Sequence, residues 1–72
     1  MAQVVTRAEV IYAPAGWYVR LYLDDGQQCD AQFDARRDIG MDRARQEVRR
    51  IAREWGFIVR HGLPVVMRDE RR

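Results

Sequence analysis

Arg45, Arg49 and Arg53 follow one another at intervals of four, in a chain whose 13 basic residues are all arginine. At about 100° per residue this spacing sets them down one flank of a helix, with Glu47 and Glu54 on the other flank and Arg43 and Arg50 at the far side. Guanidinium groups in a row suit oxyanions, because their planar fork donates two parallel hydrogen bonds to a phosphate or carboxylate. Asp42 is placed to pair with Arg45, Glu47 with Arg43 and Arg50, and Glu54 with Arg50. Arg49 and Arg53 are left without an acidic neighbour on the helix, and Arg45 is only partly compensated. Arg36 and Arg37, in the segment before it, add two more free cations. Five such groups can grip phosphates in a salt-sensitive way without reading base sequence. They can equally anchor an acidic protein surface, where Arg and Trp are favoured contact residues.

Tyr18, Arg20 and Tyr22 form a second candidate set, alternating along one strand and so sharing a face. Two aromatics flanking an arginine can stack on bases. Gln28, Asp30 and Gln32 face the same way on the following strand, and Arg7 and Glu9 on the preceding one. Glu9 and Asp30 would repel phosphate, and Tyr and Arg are also ordinary residues for a half-exposed strand.

Catalytic chemistry has little to work with. The chain has one cysteine and one histidine, Cys29 and His61. Cys29 falls on an inward strand position and His61 in a turn beside Gly62, so a thiol–imidazole pair is not expected. Asp24 and Asp25 are accounted for by a hairpin turn. No spacing of His, Cys, Asp and Glu matches a zinc or calcium site, and no glycine-rich phosphate loop occurs. Neither an enzyme nor a cofactor-binding protein is expected.

The elements that must position these residues follow from hydropathy. Val4 to Tyr12 reads as a strand, with Val4, Thr6, Ala8, Val10 and Tyr12 as its more apolar face. Ala13-Pro14-Ala15-Gly16 breaks it. In the next strand Trp17, Val19, Leu21 and Leu23 point inward. Asp25-Gly26 predicts a type I′ hairpin turn, and Gln27 to Asp34 returns with Cys29, Ala31 and Phe33 inward. Met41, Ala44, Val48, Ile51, Ala52 and Trp55 recur at helical spacing and predict a helix over 41–55. Asp38, Gly40 and Asp42 are alternative N-caps. Gly56 suits a left-handed closing residue, with Phe57 folding back on Ala52. Phe57–Arg60 reads as a further short strand, and Val65–Met67 as one more after the His61-Gly62-Leu63-Pro64 turn.

The sheet and the helix each have one apolar face, so each buries the other. The expected fold is α+β: a small antiparallel sheet of three to four strands with one amphipathic helix across one face, in the order β-β-β-α-β. Trp17, Val19, Leu21, Phe33, Val48, Ile51 and Trp55 are its expected core. Seventy-two residues make a single domain, ordered over about 3–67 and ending in a charged tail over 68–72.

Charge is unevenly spread. Residues 1–34 carry two arginines against five acidic residues, and residues 35–72 carry eleven against six, within a net charge of +2. The absence of lysine reflects a GC-rich coding genome at least as readily as a demand for guanidinium. A lone cysteine points to a reducing, cytoplasmic setting. Arg7 and Glu9 interrupt the N-terminal apolar run and no stretch approaches 18 apolar residues, so neither a signal peptide nor a membrane span is expected.

The hairpin from Gly16-Trp17-Tyr18-Val19-Arg20 to Gly26, followed by a helix rich in Ala and Arg, resembles the arm-type DNA-binding domain of phage tyrosine integrases. That resemblance implies three strands and a helix, with the sheet in the major groove and Tyr18, Arg20, Tyr22, Gln28 and Gln32 in contact with DNA. The acidic residues on the sheet face and the strand after the helix depart from the family pattern. Gly16-Trp17-x-Val19, Ala44-Arg45, Ala52-Arg53, Gly56 and His61-Gly62 are similar to small uncharacterised bacterial β-β-β-α-β proteins. HicB-type antitoxins have a related order and bind a partner protein.

The residues lead to a small bacterial, plasmid or phage accessory protein that binds nucleic acid. The contacts expected are Tyr18, Arg20 and Tyr22 on the strand face and Arg36, Arg37, Arg45, Arg49 and Arg53 on the basic side. The alternative is an antitoxin-like or phage-encoded inhibitor module binding an acidic protein through the same surfaces. An unpaired edge, Val65–Met67 or Val4–Tyr12, would offer a route to a homodimer.

Overall fold

The computed structural model describes residues 2–36 and 38–71; Arg37 lies outside them. Five strands and one helix follow in the order β1 (Val4–Ala13), β2 (Gly16–Leu23), β3 (Gln28–Gln32), α1 (Met41–Glu54), β4 (Ile58–Val59) and β5 (Val65–Asp69). The fold is α+β, one helix laid across one face of an open sheet. β1 is central: β2 pairs with it antiparallel on one side and β3 follows β2. On its other side β4 and then β5 pair with it in parallel. The sheet is therefore mixed rather than wholly antiparallel, because α1 carries the chain from β3 to the opposite edge and returns it in the direction of β1.

The core is where the sheet meets the stripe of α1. Val5, Ala8, Val10, Trp17, Val19, Leu21, Leu23 and Phe33 pack against Ala44, Val48, Ile51 and Ala52, with Leu63 closing one end. Trp55, expected in that core, is 46% exposed. The helix ends at Glu54, and Trp55 is its C-cap rather than another turn of the stripe.

The inward face of β1 changes phase along the strand. Val5 lies opposite Leu23 but Arg7 opposite Tyr22, so Thr6 is the extra residue of a β-bulge. Thr6 Oγ1 donates to the Tyr22 carbonyl at 3.1 Å. Val5 thus points inward before the bulge and Ala8, Val10 and Tyr12 after it, which replaces Val4 and Thr6 in the expected face.

The β2–β3 loop also differs from its expected form. Among the described residues no non-glycine has a positive φ, and Gly26 has φ 86°. A type I′ turn would need Asp25 there too. Instead Gly26 N donates to Leu23 O and Leu23 N to Gln27 O, which closes a three-residue loop, with Asp25 Oδ1 accepting from Gln27 N. β5 runs through Asp69, two residues beyond the expected limit of order.

Candidate functional site

The two arginine-bearing surfaces differ in how their charges are used. On the sheet face away from α1, Arg20 donates from Nε to Asp30 Oδ1 at 3.0 Å and from Nη2 to Oδ2 at 3.2 Å. The hydrogen bond to Asp30 is the main reason that the Arg20 guanidinium is held more firmly protonated than an ordinary arginine. Tyr22 Oη donates to Glu9 Oε1 at 2.7 Å, and Glu9, nearly buried, also pairs with Arg68 at 3.3 Å. The Arg7 guanidinium lies over the Tyr22 ring, 3.7 Å from its centroid. Ile11 is fully buried outside the cluster that packs on α1, with Tyr18 and Arg68 as its cross-strand register partners on either side. Tyr18, Arg20 and Tyr22 do stand together as the alternation predicts, but each cation there is paired with a carboxylate or a ring.

On the acidic flank of α1, Glu47 pairs with Arg43 at 2.9 Å and Arg50 at 2.7 Å, and Glu54 with Arg50 at 3.0 Å. Partial burial alone would push the Glu47 carboxyl up, but hydrogen bonds from Arg50 and Arg43 outweigh it and hold the carboxyl below its ordinary value. Arg43 also donates to the Asp34 carbonyl. These pairs match the helical spacing; the Asp42–Arg45 pair does not form.

The other flank is uncompensated. Among the described residues no carboxylate lies within ion-pair distance of Arg36, Arg45, Arg49, Arg53 or Arg60. Arg45 to Arg53 spans about 12 Å of helix. Arg49 and Arg53 border a shallow groove of ≈ 560 Å³, whose other lining residues are Gly56, Phe57, Val59, Arg60 and His61. Arg36, in the loop before the helix, does not line it, nor does Arg45, one turn further up.

The groove is assembled by the way α1 ends. Gly56, at φ 78°, adopts the left-handed conformation, and its N–H donates to Arg53 O while Phe57 N donates to Ala52 O at 2.8 Å. This double closure reverses the chain and lets Ile58–Val59 join β1 at Val4–Val5. Arg60 and His61 follow at once, and the Gly62 turn, φ 79°, delivers the chain to β5. The break between β4 and β5 thus brings two basic side chains beside Arg49 and Arg53. Read along the sequence, His61 is a turn residue and Arg60 the end of a strand; only the parallel edge pairing shows that they share the groove.

Every charged or titratable side chain lining the groove is a nitrogen base, and arginine offers only donors. Such a lining suits an acceptor carrying negative charge. Arg53, in the last helical turn, also offsets the partial negative charge of the helix C-terminus. Among the described residues no cluster of three or more His, Cys, Asp or Glu side chains could hold a metal ion, and no helix is long and apolar enough to cross a membrane.

Fold and groove together define a small α+β domain with a mixed five-stranded sheet and an arginine-lined cleft at the C-terminal end of α1. No protein-family model, curated protein or solved structure matches the chain.

Proposed function

We propose that this domain binds nucleic acid, holding the phosphate backbone on the arginine flank of α1 and in the adjoining groove. The observation that carries the reading is the convergence of Arg49, Arg53, Arg60 and His61 on one groove with no carboxylate lining it. Several arginines outside the groove are instead neutralised by the protein's own carboxylates: Arg20 by Asp30, Arg68 by Glu9 and Glu70, Arg50 by Glu47 and Glu54. Leaving one set unpaired keeps like charges close together, which is costly unless an anion visits them. The binding is backbone-directed and carries little base specificity. Tyr18, Arg20 and Tyr22 then serve as a structural face rather than as the principal contact.

An NMR titration of labelled protein with short oligonucleotides tests this directly. Amide shifts should concentrate at Arg45, Arg49, Arg53, Arg60 and His61. Shifts concentrated at Tyr18, Arg20 and Tyr22 would move the interface to the sheet. Shifts at the groove produced equally by polyglutamate would favour an acidic protein partner instead.

A further inference from the structure

We propose that the nucleic acid held by this groove is single-stranded, with a base stacked on Trp55; the inference rests on the phosphate-binding reading above and specifies its ligand. Three observations carry it.

The first is the aromatic platform. Trp55 is 46% exposed, an unusual place for the largest apolar side chain in a chain short of core material. Its ring meets Phe57 edge-on, with centroids 5.9 Å apart and planes at 62°, and Phe57 lines the arginine groove. The main chain that carries it is fixed: Trp55 N donates to Ile51 O, and the next two backbone amides close the helix on Arg53 and Ala52. An aromatic side chain, with two torsions, loses little conformational entropy when a base stacks on it.

The second is charge asymmetry about α1. A helix lying in a duplex major groove has a phosphate backbone on each side. Here Arg45, Arg49 and Arg53 line one flank, but the other presents Glu47 and Glu54, already paired with Arg43 and Arg50. One basic flank suits one backbone.

The third is shape. Duplex-reading proteins push a protruding helix or ribbon into a groove, whereas Arg49, Arg53 and Arg60 border a depression. A basic channel beside exposed aromatics is how strands are held without sequence preference, phosphates along the cations and bases on the rings.

The test uses the full chain, oligo(dT) of about 15 nucleotides, and a duplex of the same length. Trp17 is buried and stacked on Tyr12, so ligand-dependent quenching reports chiefly on Trp55. Oligo(dT) should bind about tenfold tighter than duplex and quench the emission. Trp55→Ala should weaken oligo(dT) binding about tenfold while leaving its salt dependence unchanged, because a stacked base contributes no released counterion. Trp55→Phe should recover most of the affinity but lose the quenching. Thermal melting of both variants checks that the fold is retained. Equal or tighter binding of duplex, or a Trp55→Ala variant as tight as the parent, would overturn the single-strand inference and leave the arginine reading standing. Failure of both oligonucleotides to bind would overturn the two together.

Discussion

The sheet face and the helix flank each present arginines, yet only one has finished using them. On the sheet, Arg20 grips Asp30 through two hydrogen bonds, and Glu9 receives both Tyr22 and Arg68. On the flank, Arg49 and Arg53 meet Arg60 and His61 with no counter-charge in the groove. Arginine content is therefore a weak guide to a binding surface. What distinguishes the two regions is whether the fold supplies the anion.

Reversing charge in the groove should have the largest effect. Arg49→Glu with Arg53→Glu should weaken oligonucleotide binding by about a hundredfold at low salt, and an affinity within threefold of the parent would erase the distinction. On the sheet the loss should fall on stability instead. Glu9→Ala leaves the Tyr22 hydroxyl without its acceptor and Arg68 with Glu70 alone, and should cost about 2 kcal/mol in chemical denaturation, with binding unchanged.

Glu47 sharpens the contrast through pH. Its pKa is depressed in the folded state by Arg50 and Arg43, so its stabilising contribution is present above the ordinary carboxyl value and is lost as pH falls through the folded one. Unfolding followed below pH 4.5 should show declining stability that Glu47→Gln flattens. The smallest effect belongs to Arg20→Gln, which should change binding by less than about twofold because its guanidinium is committed to Asp30. A loss as large as that at the groove would make the sheet face an interface after all.

Much of this architecture is written in local spacing. The helix stripe, the alternation of β2, the closure at Gly56 and the Glu47–Arg43 and Glu47–Arg50 pairs all follow from periods of 3.6 or 2 and from one glycine. Thr6 shows where that logic stops: a bulge residue with no Gly or Pro to mark it inverts the face of β1 through a single hydrogen bond to a distant carbonyl. Trp55 shows a second limit, since its position on the stripe is sound but the helix ends one residue earlier. The groove was half legible. Arg49 and Arg53 stand out on the helix, but Arg60 and His61 reach them only because β4 and β5 share one edge of β1 in parallel, a long-range pairing that no neighbouring residues encode.

The most direct test of the central claim is the salt dependence of oligonucleotide binding, followed by fluorescence anisotropy from about 50 to 200 mM salt, for the parent and for Arg49→Ala with Arg53→Ala. Binding should be micromolar and should weaken steeply with salt. In the variant the slope of log affinity against log salt should fall by about 1.4, the share of two single-strand phosphate contacts, while unfolding stability changes by less than about 1 kcal/mol. An identical slope in the two proteins would contradict it, because the flank would then release no counterions and touch no phosphate.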